Sequence, residues 1–210
     1  MTRMLVTGFE PFAGSSANPS QRLVEELAVR PPAGVELATA VLPVSYARAA
    51  GELRAVVQAA EPDVVVCFGQ ADGRAGIFVE RFALNLDDAA NVDNEGASSA
   101  SPVERDGPVA YRSTLPVDDI VAALRAAGIP ATASRDAGGF LCNHVFYTLM
   151  RTLERERPET VGGLVHVPLL PEQALEKPVA SMPLEVLVRA AAIVVAVAAG
   201  AGPSQDARAS

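Results

Sequence analysis

The chain has 210 residues, half of them hydrophobic and a fifth charged, the composition of a globular protein large enough to bury one core. A net charge of −8 removes the basic face that nucleic acid requires and disfavours an anionic membrane surface. The opening MTRMLVTGFE lacks the apolar run and small-residue cleavage site of an export signal, and the most apolar late stretch, 190–202, is too short to span a bilayer, which takes roughly 20 residues; a cytoplasmic protein is expected.

In chain order, 3–8 reads as a short buried strand followed by the turn-rich FEPFAGSSANPS. Ser20 is the expected N-cap of a helix running to about Val29. VELATAVLPVSY is a strand leaving the Pro31-Pro32 break, and YARAAGELRAVVQAA has helical spacing that ends at Glu61-Pro62. DVVVCFGQ is a continuous β-branched run, expected to be a strand buried on both faces. IFVERFALN alternates, which puts Phe78, Glu80, Phe82 and Leu84 on one face of a single strand. Residues 86–114 have no clear period and are too long for an ordinary connection; a functional excursion or a small β subregion is expected. A helix opened by Pro116 follows, then a strand at 130–134, a helix over 143–156, a buried strand in VGGLVHVPLL, and a last helix from Ser181 to about Ala199. The alternation of strands and helices predicts an α/β sandwich with a largely parallel sheet. It is expected to form one domain over 1–200, with a loose tail over 201–210.

The candidate chemistry is sparse. With no export signal, Cys67 and Cys142 are expected to be free thiols in a reducing compartment. Cys142 lies where a glycine-marked turn, AGGF, runs into a helical pattern. A thiolate there gains from the helix N-terminus, whose free N–H groups can also receive an oxyanion. The alternative is an inert packed cysteine, which is the reading for Cys67 inside its buried strand. Of two histidines, His144 is two residues from Cys142 and does not share its helix face, so it is expected to cap or pack. His166 lies near the end of a strand, where α/β sheets place working residues. Glu80 is a carboxylate on an apolar face and needs a partner: an imidazole, whose tautomer it would fix, or an arginine in a structural ion pair. NVDNEG at 91–96 opens like a calcium loop but places Pro102 where the closing glutamate belongs. No zinc spacing is present, and TGFEPFAG lacks the lysine and small residues of a phosphate loop. Phe9 and Phe12 there suit the walls of an apolar pocket.

The elements TGFEPFAG…NPS, CFGQADGR…VERFALNLDDA…DNEG, AGGFLCNHVFY and GLVHVPLLPEQ occur in this order along nearly the whole chain. Together they resemble the pyroglutamyl-peptidase I (pyrrolidone-carboxylate peptidase) family of intracellular cysteine peptidases. The resemblance implies a three-layer α/β/α sandwich on a twisted mixed sheet, a homotetramer and no cofactor or metal. It implies removal of an N-terminal pyroglutamyl residue from small peptides, with Cys142 as nucleophile, His166 as base and Glu80 as its orienting acid. It further implies aromatic walls at Phe9, Phe12 and Phe140, and substrate contacts at Asn18 and Gln70. The oxyanion would go to the N–H groups of Cys142 and Ala90. Two positions depart from the pattern: Gly139 stands where the family has threonine, and Ala90 where it has arginine. They leave open a lowered efficiency or a pyroglutamyl-binding module without catalysis; an amidase acting on a related lactam is a separate alternative.

Overall fold

The computed structural model describes residues 1–176 and 178–200; the expected tail lies outside the described residues. The elements are β1 (Thr2–Phe9), α1 (Pro19–Val29), β2 (Val35–Leu42), α2 (Ala49–Ala60), β3 (Val64–Gln70), β4 (Ile77–Glu80), β5 (Phe82–Leu84), β6 (Ala110–Arg112), α3 (Val117–Ala126), β7 (Ala131–Ser134), α4 (Leu141–Glu156), β8 (Val161–Val167) and α5 (Leu184–Gly200). Six strands form one mixed sheet in the order β2-β1-β3-β8-β4-β7. The first four are mutually parallel; β4 runs antiparallel to β8 and parallel to β7. The period of two divides each strand between two cores. Met4, Val6, Val66 and Val165 pack under α1, α3 and α5, whereas Leu5, Val65, Cys67 and Leu164 pack under α2 and α4. This is the expected α/β/α sandwich.

Four expectations change. The N-cap of α1 is Asn18, not Ser20: its Oδ1 accepts from the Ser20 backbone N–H, and Pro19 at the first helical position has no N–H to satisfy. The expected single strand IFVERFALN breaks at Arg81. The backbone N–H of Arg81 makes the last bond to Ser134 as β7 ends, and on the other side the Thr114 N–H bonds the Gly162 carbonyl and so takes the place beside β8. Phe82 and Leu84 therefore leave the face of Glu80 and pair with β6 in a separate two-stranded ribbon. Helix α4 starts at Leu141, and α5 at Leu184 instead of Ser181.

The excursion after β5 is the small β subregion, folded down onto α4. Asn143, fully buried, bonds the N–H and C=O of Leu84 and the C=O of Leu86. Arg151 donates to Glu104 at 2.7 Å and the Tyr147 hydroxyl to the Pro108 carbonyl at 2.8 Å. Within NVDNEG, Asp93 accepts backbone N–H groups from Tyr46, Glu95 and Ala97, so its carboxylate closes a turn.

Candidate active site

β3 and β8 pair so that Gly69 lies beside His166, both on the sheet face that α4 covers. The turn before α4 passes through Gly138 at φ +78°, a conformation glycine adopts without strain, and brings the helix N-terminus over that spot. A side-chain carbon at position 69 would stand 2.7 Å from Cys142 Sγ and 3.4 Å from His166 Nε2. The missing side chain is thus what lets sulfur and imidazole meet across the strand. Cys142 is the second residue of α4, and Phe140 at the N-cap supplies no side-chain bond. The N–H groups of Leu141, Cys142 and Asn143 precede the first intrahelical bond, from His144 N–H to the Phe140 carbonyl, and remain available to an anion.

Glu80 reaches the same imidazole from the antiparallel strand. Phe78 is the register partner of His166, which makes Glu80 its diagonal neighbour on one face, within reach of a long side chain. His166 Nδ1 donates to Glu80 Oε1 at 2.9 Å, leaving Nε2 for the sulfur. Burial by itself drives the imidazole toward neutrality. The negative charge and hydrogen bond of the Cys142 sulfur, joined by those of Glu80, outweigh it and raise the His166 pKa to about 9. The imidazole is therefore held protonated at neutral pH, beside the sulfur. Both partners foreseen for Glu80 are present, because Arg74 Nη1 also donates to Oε1, at 2.7 Å.

Above the pair opens a cavity of about 430 Å³, lined among others by Phe9, Phe12, Asn18, Gln70, Phe140, Cys142 and His166. The Phe12 and Phe140 rings are 6.0 Å apart and tilted by 42°, and Tyr46 meets Phe140 edge-on at 5.8 Å. Asn18 spends one N–H on the Glu10 carbonyl and its oxygen on Ser20, which leaves one N–H free. Gln70 donates to Asp72 and accepts from Gln173, which leaves one N–H and one lone pair. Ala90 does not fall in the cavity wall; it is exposed, and the neighbouring Asn91 lines the cavity instead. Gly139 does not line the cavity: the Asp88 carboxylate occupies the space its side chain would need, and its carbonyl accepts the N–H groups of Asp88 and Ala89. His144 packs as expected, bonded to Asp87 Oδ2 at 2.9 Å and edge-on to Tyr46. Cys67 is a core thiol that burial pushes up to about 12. Neither cysteine is in a disulfide.

The model of the family described as pyroglutamyl peptidase matches residues 2–201. The chain belongs to the pyroglutamyl peptidase family. The pyrrolidone-carboxylate peptidase of Streptomyces coelicolor is 44% identical over 98% of this chain and 96% of its own length, and that of Bacillus licheniformis 43% identical over 94% and 92%. Among solved structures, pyroglutamyl peptidase I of Bacillus amyloliquefaciens superposes with a TM-score of 0.92 at 37% identity, covering 95% of this chain and 97% of that one. The pyrrolidone carboxyl peptidase of Thermococcus litoralis does so with 0.92 at 36%, covering 96% and 94%. In this pyroglutamyl peptidase family member, two polar residues at the site escaped the sequence reading. Arg74 grips Glu80, and Gln173 fixes the Gln70 amide while bonding Ser15 and the Ala17 carbonyl. Both stand inside the quoted motifs, but on turns, where no periodicity singles out a side chain.

Proposed function

We propose that the chain is a cysteine exopeptidase that removes an N-terminal pyroglutamyl (5-oxoprolyl) residue from peptides by thiol acyl transfer and releases pyroglutamate. The observation that carries this reading is one aromatic-walled cavity whose floor joins an uncapped helix N-terminus bearing Cys142 to a buried His166 held by Glu80. A pyroglutamyl residue is a flat, uncharged lactam with one N–H and one C=O. Phe9, Phe12 and Phe140 suit its ring, each worth about 1–2 kcal/mol by buried area. The free N–H of Asn18 and the free groups of Gln70 suit its polar edge.

In this mechanism the Cys142 thiolate attacks the pyroglutamyl carbonyl. The oxyanion is received by the Cys142 N–H and its neighbours at the open start of α4; the Ala90 N–H, expected as a second donor, lies outside the cavity wall. Protonated His166 gives its proton to the leaving amine, and the shortened peptide departs. The neutral imidazole then takes a proton from water, whose hydroxide adds to the thioester; collapse frees pyroglutamate and restores the thiolate–imidazolium pair. Glu80 orients the ring throughout. None of these steps draws on a metal or cofactor.

The same reading extends to a cytoplasmic homotetramer with 1–200 as one folding domain. Two unpaired cysteines, one of them the nucleophile, suit a reducing compartment. Among the described residues no helix is long and apolar enough to cross a membrane. Helix α5 carries partly exposed Val186, Val188, Ile193 and Val197, an apolar outer face suited to contact with other copies.

A fluorogenic pyroglutamyl amide should be cleaved at least about 10³-fold better than the glutamyl or prolyl amide, because either misfit leaves a buried polar partner unpaired. Iodoacetamide should abolish the turnover. Comparable cleavage of the prolyl amide would favour the amidase reading, and pyroglutamate binding without turnover under reducing conditions the non-catalytic one. Glu80→Gln should keep the fold and lose about 10²-fold in kcat/KM, since the amide oxygen can still accept from Arg74 and His166 while the charge is gone. With a raising influence removed, the alkaline limb of its pH profile should move below that of the wild type. Unfolding of this variant would instead make Glu80 a structural carboxylate.

A further inference from the structure

Glu80 is fully buried, and all its hydrogen bonding runs through one oxygen. Among the described residues, Oε1 accepts from both His166 and Arg74, whereas Oε2 has no partner. The arginine is itself clamped. Its Nη1 also reaches Ser134 Oγ at 3.3 Å, its Nη2 donates to the Asp136 carbonyl at 2.7 Å, and its guanidinium carbon lies 4.7 Å from the Phe78 ring centroid. It stands on the turn between β3 and β4 and lines the cavity, with a quarter of its side chain exposed.

We propose that Arg74 is a positioning residue for the hydrolysis: it pins Glu80 Oε1 against the His166 ring and completes a four-charge cluster of zero net charge. The proposal rests on the peptidase reading above. In the working state the thiolate of Cys142 and the carboxylate of Glu80 are balanced by the imidazolium of His166 and the guanidinium of Arg74. Other charges around the cluster are engaged elsewhere. The Asp136 carboxylate accepts from the Gly138 N–H, Asp72 accepts from Gln70, and Arg81 turns to Asp118. β7 contributes only the neutral Ser134. Without the guanidinium, the buried group would carry one net negative charge in a low-dielectric setting and would hold its protons more tightly. The imidazolium would then release its proton at a higher pH.

The experiment compares wild type, Arg74→Gln, which keeps amide donors without the charge, and Arg74→Lys, which keeps the charge without the fork. Hydrolysis of a pyroglutamyl-coumarin amide and the rate of iodoacetamide alkylation are measured against pH. For Arg74→Gln the expected result is an upward shift of about 1 pH unit in both limbs of kcat/KM and in the acidic limb of alkylation. Its kcat at neutral pH should fall about tenfold with KM within about twofold of wild type. Arg74→Lys should keep the wild-type limbs. Unshifted limbs in Arg74→Gln with a raised KM would make Arg74 a substrate contact; unshifted limbs with only a lower melting point would make it a brace. Either overturns the proposal, as does an Arg74→Lys profile shifted as far as that of Arg74→Gln. Should Arg74→Gln fail to fold, Arg74→Met, which also removes the charge, takes its place and is read by the same limbs. A wild-type protein that leaves the pyroglutamyl amide intact would sink the peptidase reading, and the alkylation profiles would still judge Arg74.

Discussion

Cys142→Ser is expected to fold as the wild type and to lose at least about 10⁴-fold in kcat/KM toward a pyroglutamyl amide, equivalent to about 5.5 kcal/mol of transition-state stabilisation. The exchange keeps a small side chain at the same helix position, over the gap left by Gly69, so stability should stay within about 1 kcal/mol of wild type. What changes is the nucleophile. The imidazole raised to about 9 sits beside a sulfur that can exist as thiolate, and the pair holds the reactive form before substrate arrives. A serine hydroxyl holds its proton at that pH. Deprotonation then has to occur during attack, and the imidazole has lost the sulfur charge that raised its pKa, so no preformed ion pair supplies the nucleophile. Stopped assays of the purified variant, with melting temperature as control, check this; turnover close to wild type would remove Cys142 from the mechanism.

The layered fold was legible because each of its signals is local. Continuous apolar runs mark β3 and β8, and proline and glycine mark the ends of their neighbours. The break at Arg81 was not legible. The sequence alternates straight through it, and what ends β4 is the end of β7 on one side and the arrival of Ser113 and Thr114 on the other, all from later in the chain. The antiparallel setting of β4 is likewise invisible locally, yet it is what makes Glu80 diagonal to His166. The cap at Asn18 was missed by two positions, because Asn18 and Ser20 are both good capping types and only the backbone distinguishes them.

The site divides along the same line. Cys142, His166 and Glu80 were legible as chemical types in suggestive settings, and the family resemblance joined them. Spacing alone left Glu80 between an imidazole and an arginine; the fold gives it both. Arg74 was hidden because a charged residue on a turn ordinarily faces water, and its burial depends on Ser134, Asp136 and Phe78 arriving from elsewhere. Gly139 and Ala90 stood out as departures, and the structure gives them different weight. Asp88 fills the space beside Gly139, so a threonine there would displace that carboxylate. Ala90 is an exposed residue next to the wall-forming Asn91.

His166→Ala is expected to lose about 10³–10⁴-fold in kcat/KM and, more tellingly, to lose the alkaline limb. In the wild type the reactive pair requires a protonated imidazole, so activity should hold through neutral pH and fall as pH rises through about 9, where His166 gives up its proton. In the variant no imidazole remains to titrate there, and none is left to protonate the leaving amine. The thiol, without its cationic neighbour, ionises only as pH rises, so residual activity and the rate of iodoacetamide alkylation should both climb with pH where the wild-type rate of turnover declines. The two profiles should therefore cross in slope even though the variant is slower throughout. Glu80 keeps Arg74 as a partner in this variant, which should hold the carboxylate in place and preserve the fold; circular dichroism and melting temperature check that. A variant that retained the wild-type fall near pH 9 would show that another group sets that limb. His166 would then be a buried structural histidine, and the pairing of Cys142 with it would not be the source of reactivity.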